Sequence, residues 1–189
     1  GIITAGATMP MSTIEAASES TKMVVVGRSS RSQVIDSVNT DDVTGARLAV
    51  DYLVELGHRR IAHIDGGTGA GAEARRRGYS QAMTDHGLSA EIVTAGGDFT
   101  ESGGYHAASE LLNQSSRPTA IFAANDLSAA GALDRIEDAG LAVPDDVSIV
   151  GYDNTALAAM QHLSLPTVHQ PRDELGRLAA GFLLERLRD

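Results

Sequence analysis

The stretch from 118 to 154 reads PTAIFAANDLSAAGALDRIEDAGLAVPDDVSIVGYDN. It holds an apolar run at 119–124, a stretch with helical spacing at 126–139 that stops at Gly140, and a second apolar run at 147–152. Compact apolar runs of this kind are typical of strands buried on both faces of a parallel sheet. Glycine just past a helix supplies the left-handed conformation in which helices end. The stretch therefore predicts a strand, a helix and a second, parallel strand.

The same alternation extends along the whole chain. Further strands are predicted at 1–6, 23–27, 34–39, 61–65 and 91–95 and around Val168, and further helices at 12–20, 42–56, 72–86, 104–114 and 172–189. Repeated units of a strand followed by a helix predict an α/β fold, with mostly parallel sheets flanked by helices on both faces. Ligands of such folds bind beyond the carboxyl ends of the strands, so the residues that follow each strand are the candidates for a site.

Composition and charge exclude several classes of function. The 189 residues include no cysteine, so disulfides, thiolate nucleophiles and Cys-ligated metals are ruled out. With 15 basic and 25 acidic side chains the net charge is −10, which repels a nucleic acid backbone, so this chain should not hold DNA by itself. The apolar runs are far shorter than the ~18 residues of a membrane span. Without a basic leader segment either, the sequence predicts a cytoplasmic protein with no membrane partner.

Motifs for hydrolysis and metal binding are missing from the sequence. It has no Gly-x-Ser-x-Gly, no His-Glu-x-x-His and no ligand spacing among its six histidines. We therefore expect no catalytic residue, no metal and no cofactor. His58 follows the predicted end of a helix, where a contact with the helix C-terminus or the backbone is expected.

An arginine run and an aromatic residue lie near two strand ends. Successive residues of a helix point about 100° apart, so at most two of the arginines at 75–77 can face the strand ends. We expect Arg75, the nearest to the preceding loop, to be the inward one, where its planar fork of donors could hold sugar hydroxyls. Phe99 follows a glycine pair after the strand at 91–95, where it is either a small core plug or a flat face for a ligand ring.

Two more strands end in polar residues. Asn125 and Asp126 close the strand at 119–124, and we expect Asp126 to cap the following helix and Asn125 to point at a ligand. Asp153 follows the strand at 147–152. A carboxylate in that position can accept two hydrogen bonds from adjacent hydroxyls, and charged acceptors form the stronger bonds.

A glycine-rich loop permits a different interpretation. Residues 67–72 match the dinucleotide spacing Gly-x-Gly-x-x-Ala in a strand-to-helix turn. The acid that should bind the ribose is out of place, because Glu91 stands at the beginning of the next strand and Asp98 lies too far along. An NAD-dependent enzyme is therefore the weaker alternative, and the absence of a lysine after the glycines excludes a P-loop.

A series of short motifs runs in order along nearly the whole chain. The motifs are DDVTGA at 41–46, GHRRI at 57–61, RRRGY at 75–79, GDF at 97–99, PTAIFAAND at 118–126, GLAVPDDVSIVGYD at 140–153 and PTVHQP at 166–171. Together they resemble the lactose-repressor (LacI/GalR) type of bacterial transcription regulator. The motif at 140–153 is highly specific for that family.

The resemblance implies an effector-binding core with the fold of type I periplasmic sugar-binding proteins, in which two α/β subdomains enclose the ligand. Residues 1–41 would belong to an incomplete N-terminal subdomain, 42–166 would form the C-terminal subdomain, and 167–189 would cross back to the first. The family's DNA-reading helix-turn-helix head would precede Gly1 and its closing strands would follow Asp189. We therefore expect an internal segment of a longer protein, which contacts operator DNA only through a head outside this chain.

The resemblance also implies the site and the mechanism. The family's effector contacts fall on Arg75, Phe99, Asn125, Asp153, Gln170 and Asp41. The effector would be a sugar or sugar derivative, since the loop at 67–71 is nearly bare where purine-responsive members place polar side chains. Its binding would close the subdomains and alter DNA affinity in a homodimer. A sugar-binding protein of a periplasmic transport system shares this architecture and is the alternative.

Overall fold

The computed structural model describes residues 1–7 and 9–188 and confirms the α/β class. Its elements are, in chain order, β1 (Ile2–Ala5), α1 (Met11–Ser18), β2 (Met23–Val26), β3 (Ile35–Val38), α2 (Asp42–Glu55), β4 (Ile61–Ile64), α3 (Ala72–Asp85), β5 (Val93–Ala95), α4 (Glu101–Leu112), β6 (Ala120–Ala123), α5 (Asp126–Asp138), β7 (Ser148–Asp153), β8 (Thr167–His169) and α6 (Arg172–Arg186). These elements form two compact units. Unit 1 comprises Gly1–Asp41, Gly69–Gly71 and Pro171–Asp189, and unit 2 comprises Asp42–Thr68 and Ala72–Gln170.

Unit 1 is built on a three-stranded parallel sheet in the order β1-β2-β3. Successive side chains of a strand point to opposite faces, so the short apolar strand β2 serves two small cores. Val25 packs on one face with Ile14 of α1, and Val24 packs on the other with Ala179 of α6. The apolar run at 23–26 is thus explained by burial on both faces.

Unit 2 is built on a five-stranded parallel sheet in the order β5-β4-β6-β7-β8. Helices α2 and α3 cover one face of this sheet and α4 and α5 cover the other. Every residue of β4 and β6 is buried, which is why β6 is an unbroken apolar run and β4 is apolar apart from His63. Helices α4 and α5 pack closely because Gly131 has no side chain: a Cβ there would collide with the Glu101 carbonyl oxygen.

Most predicted boundaries hold to within two residues. Gly57 and Gly140 end helices with φ of +95° and +71°, in the left-handed region expected of helix stops. The predicted start of α4 at 104 is wrong, because Thr100 caps the helix by accepting a hydrogen bond from the Gly103 amide, and α4 begins at Glu101. In the part of the chain that the structure describes, no helix is both long and apolar enough to cross a membrane.

His58 joins the amino ends of three strands of unit 2. Its Nδ1 lies 3.0 Å from the Thr119 hydroxyl, before β6, and its Nε2 lies 3.0 Å from the Ser148 hydroxyl on β7. Burial lowers the pKa of His58. The predicted contact with the helix end is made by the backbone, since the His58 amide donates to the Leu53 carbonyl of α2 at 3.1 Å, and the side chain adds contacts that were not predicted. The imidazole links strands that are distant in sequence, and local spacing does not reveal such partners.

His63 lies on β4 inside the core of unit 2. Its ring stacks between Tyr79 and Phe122, with ring centroids 5.2 Å and 4.7 Å away. Its Nδ1 is 2.9 Å from the Phe122 carbonyl oxygen, and its Nε2 has no hydrogen-bond partner among the described residues. Burial lowers the pKa of His63 to about 4. The core therefore holds a neutral imidazole.

We expect His63 to make the folded state sensitive to acid. Its folded-state pKa of about 4 lies below the ordinary value of 6.5, so the unfolded chain takes up the proton first as the pH falls. The stabilisation is complete above about pH 6.5 and is lost toward about pH 4, with about 2 kcal/mol lost between pH 7.5 and pH 5.

Urea unfolding of the parent, of His63→Leu and of His106→Leu across this pH range measures the effect. The slope of unfolding free energy against pH should decrease in His63→Leu and stay unchanged in His106→Leu, since His106 is exposed. Identical slopes in all three proteins would contradict a neutral, buried His63.

Candidate functional site

The candidate site lies in unit 2, at the carboxyl ends of its strands. In a parallel sheet these ends share one edge, so residues far apart in sequence meet there. The predicted residues of this unit are Arg75 in the first turns of α3, Phe99 after β5, Asn125 after β6, Asp153 at the end of β7 and Gln170 after β8. Asp41, the sixth predicted residue, is an exposed member of unit 1 that precedes α2.

Arg75 is the centre of the site. Its residue is only 4% exposed, its Nε donates to Asp42 Oδ1 at 3.0 Å, and its Nη1 donates to the Ala124 carbonyl at 2.5 Å. The same Nη1 lies 3.7 Å from Asp153 Oδ1. Arg76 is half-buried and pairs with Asp65, and Arg77 is exposed. The prediction that Arg75 is the inward arginine is confirmed.

Two aromatic rings flank the Arg75 guanidinium. Its Cζ lies 3.8 Å from the Tyr152 ring centroid and 5.5 Å from that of Phe99, both within cation–π range. Burial, reinforced by the Asp42 carboxylate, raises the pKa of Tyr152, so its hydroxyl stays protonated. Tyr152 reaches this position because residue 45 is glycine: a Cβ there would collide with the Tyr152 hydroxyl.

Phe99 is held in an unusual backbone conformation. Its φ is +66°, in the left-handed region that side chains other than glycine rarely occupy. Its ring packs against Gly66, where a Cβ would collide with the ring. Half-buried Phe99 is thus not enclosed as a core plug, and part of its surface stays accessible. Its predicted stacking on a ligand ring stays a prediction.

Asp153 is also placed by strained backbone. Its φ is +111°, and such outliers concentrate at functional sites because surrounding structure must hold them in place. Gln170 Nε2 donates to Asp153 Oδ1 at 2.8 Å, which joins two of the predicted residues. The Asp153 side chain is 24% exposed, so the carboxylate is neither free in solvent nor sealed in the core.

Asn125 takes the capping role that was predicted for Asp126, and Asp126 is buried instead. Asn125 caps α5, because its Oδ1 accepts from the Ser128 amide at 2.8 Å, and its Nδ2 donates to the Phe99 carbonyl at 3.0 Å. Asp126 is the first helical residue and is 1% exposed. The prediction that Asp126 caps the helix is therefore wrong. Asparagine and aspartate cap helices about equally well, so spacing alone could not choose between them.

Asp42 is the site residue that sequence analysis missed. No ligand contact was predicted for it, yet it is 7% exposed and binds Arg75, 33 positions away, and also hydrogen-bonds Tyr152. Nothing near Asp42 in the sequence indicates these partners. The only local signal is a glycine, Gly45, one turn later in a helix, which indicates close packing of another group.

The arrangement of these side chains is better suited to binding a polyol than to catalysing a reaction. A guanidinium between carboxylates, with an aromatic face beside it, offers charged acceptors for hydroxyls and an apolar surface for C–H groups. Residues 1–7 and 9–188 contain no group of three or more side chains placed to hold a metal ion. Glu91 lies in a short turn before β5, so the acid expected of a dinucleotide site is not at the strand end.

Comparison with known proteins gives consistent similarities. The profile of the periplasmic binding protein-like domain matches residues 50–189. The HTH-type transcriptional repressor PurR of Klebsiella pneumoniae is 41% identical over 157 residues, which cover 80% of this chain and 45% of that protein. The chain thus spans less than half the length of this curated relative.

Solved structures agree with the sequence comparison. A LacI transcriptional regulator from a Rhodococcus species superposes with a TM-score of 0.95 at 38% identity, over 99% of this chain and 70% of that one. A LacI family regulator from Enterococcus faecium with bound ribose superposes with a TM-score of 0.87 at 31% identity, over 98% and 70% of the two chains.

Proposed function

The chain belongs to the periplasmic binding protein-like family, as a core of the LacI/GalR type of regulator, and we propose that it binds a sugar or sugar derivative as the effector of a transcriptional regulator. The observation that carries the proposal is the buried Arg75 at the strand ends, with Asp153 3.7 Å from its Nη1 and Phe99 beside it. The ribose held by the Enterococcus faecium relative supports a sugar.

Each predicted residue has a role in this proposal. Arg75 and Asp153 share the hydroxyl groups, since a guanidinium donates and a carboxylate accepts. The ring of Phe99 stacks on the C–H face of the sugar. Asn125 adds an amide contact, and Gln170 orients Asp153 through its hydrogen bond. The family resemblance implies Asp41 as the sixth contact of the effector.

The proposed output is a change in DNA affinity. An effector that prefers the closed arrangement of the two subdomains shifts their equilibrium, by no more than its difference in affinity for the two states. A homodimer would present two helix-turn-helix heads to paired half-sites. The curated relatives are named HTH-type transcriptional repressors, which supports such a head. Such a regulator works in the cytoplasm and catalyses no reaction.

Two alternatives share parts of the architecture. A sugar-binding protein of a transport system would use the same strand ends, but the relatives compared above are named as regulators. An NAD-dependent enzyme rests only on the glycine spacing at 67–72, without the acid that should follow. We therefore favour the regulator.

Calorimetric titration of the chain with pentoses, hexoses, purine bases and NAD tests the proposal. We expect heat of binding with at least one sugar and none with NAD. Arg77→Leu is the matched control for Arg75→Leu: sugar binding should persist in the first and be lost in the second, since Arg77 is exposed. Heat of binding with NAD alone would contradict the proposal that the chain is a regulator core. Heat of binding with a purine alone would contradict the proposal that the effector is a sugar.

A further inference from the structure

The charges of the site restrict the effectors that it can hold. We propose that the site selects uncharged polyols against their phosphate esters, and that Asp42 is a specificity-determining residue for this choice. The inference rests on the proposed function of unit 2 and adds the charge of the ligand. The experiment described below distinguishes a failure of the charge selection from a failure of the proposed sugar binding.

The first observation is that the central cation is already matched by anions. Arg75 donates its Nε to Asp42 at 3.0 Å, donates its Nη1 to a backbone carbonyl, and lies 3.7 Å from Asp153. One guanidinium thus stands between two carboxylates. A phosphate that bound here would compete with the protein carboxylates and the backbone carbonyl that already contact Arg75.

The second observation is the charge that surrounds Arg75, Asp42 and Asp153. Asp126 lies buried at the start of α5 and adds a third carboxylate, while Arg76 is paired with Asp65. Helix N-termini contribute about half an elementary charge each, so α2, α3 and α5 reduce the negative excess without reversing it. The single lysine of the chain, Lys22, belongs to unit 1.

These charges act differently on the two ligand classes. A sugar hydroxyl can donate to Asp153 and also accept from Arg75, so each of its atoms finds a partner. A phosphate oxygen only accepts, and it meets carboxylates that repel it. The repulsion is weakly screened, because the groups involved are largely buried.

Asp42 contributes to this selection through Arg75 and not through direct contact with the ligand. At 7% exposure it is too buried to receive a large ligand itself, yet its charge neutralises Arg75 from the inner side. Asp42→Asn keeps an oxygen to accept from Arg75 and removes the charge. It therefore releases part of the guanidinium charge for an anion.

Titrations with D-ribose, D-glucose, ribose 5-phosphate and glucose 6-phosphate test the proposal. We expect each ester to bind at least about tenfold more weakly than its sugar, and this gap in affinity to change little with salt, because the groups that cause it are largely buried. The gap should narrow in Asp42→Asn. The control Asp145→Asn makes the same change in net charge at an exposed position before β7, and should leave the gap unchanged.

Each outcome has a separate meaning. An ester that binds as tightly as its sugar would overturn the selection by charge and leave the proposed function standing. Binding of neither class would overturn the proposed sugar function, and inorganic phosphate then tests the charge argument alone. Inorganic phosphate should not raise the Tm of the parent above that in chloride at equal ionic strength. A rise that disappears in Arg75→Leu would overturn the inference, and this test does not require Asp42→Asn to fold.

Discussion

Replacing Asp153 with alanine should weaken sugar binding by at least about 100-fold while the chain stays folded. Asp153 Oδ1 accepts a hydrogen bond from Gln170 Nε2 at 2.8 Å and lies 3.7 Å from Arg75 Nη1. A sugar would use it as a charged acceptor, and each hydrogen bond to a charged group contributes about 1.5–3 kcal/mol. The group removed is a polar carboxylate at the end of β7, so its loss removes little apolar packing.

Calorimetry and thermal unfolding of the same preparations distinguish binding from folding. Asp153→Asn should fall between the parent and Asp153→Ala, because the amide keeps one accepting oxygen. Asp145→Ala, at an exposed position before β7, controls for the loss of one negative charge and should bind as the parent does. Equal affinity in Asp153→Ala and the parent would remove Asp153 from the site.

The strands of unit 2 could be predicted because burial determines their composition. All four residues of β4 and all four of β6 are buried, so both runs are apolar apart from His63 and are plain in the sequence. The start of α4 could not be predicted in the same way. Gly103 and Gly104 have low helix propensity, and the cap that outweighs it depends on one hydroxyl, that of Thr100.

The edge of the sheet that carries the site could also be predicted. Parallel strands place Arg75, Asn125 and Asp153 at one edge whatever the details of packing. What each side chain contacts could not be predicted, because the contacts join distant elements. Asp42 on α2 binds Arg75 on α3, and Asn125 binds the carbonyl of Phe99. The role of these residues in ligand binding stays a prediction.

Asp126 is a buried carboxylate that joins three elements near the site by hydrogen bonds. Its Oδ2 accepts from the amide of Thr155 at 2.6 Å and from its hydroxyl at 2.8 Å, and its Oδ1 accepts from the Thr167 hydroxyl at 2.5 Å. Gly151 makes room for it, since a Cβ there would lie 2.6 Å from Oδ1. The start of α5 is thereby tied to the segment after β7 and to β8.

The second large effect is therefore expected at Asp126. Asp126→Ala should lower the free energy of unfolding by about 4 kcal/mol, because three donors lose one charged, buried acceptor. Asp126→Asn should lower it by about 2 kcal/mol, since its amide nitrogen is a donor that must face another donor. Urea unfolding followed by circular dichroism measures both values.

Asp134→Ala provides the control on the same helix. Asp134 is exposed on α5, so its loss should change the free energy of unfolding by less than about 0.5 kcal/mol. Parent-like stability of Asp126→Asn would contradict the arrangement of three donors around an acceptor. Thr155 and Thr167 lie within three residues of Asp153 and Gln170 respectively, so the Asp126→Asn protein should also bind sugar more weakly while still folded. Weaker binding without unfolding would show that Asp126 positions the Asp153 carboxylate as well as stabilising the fold.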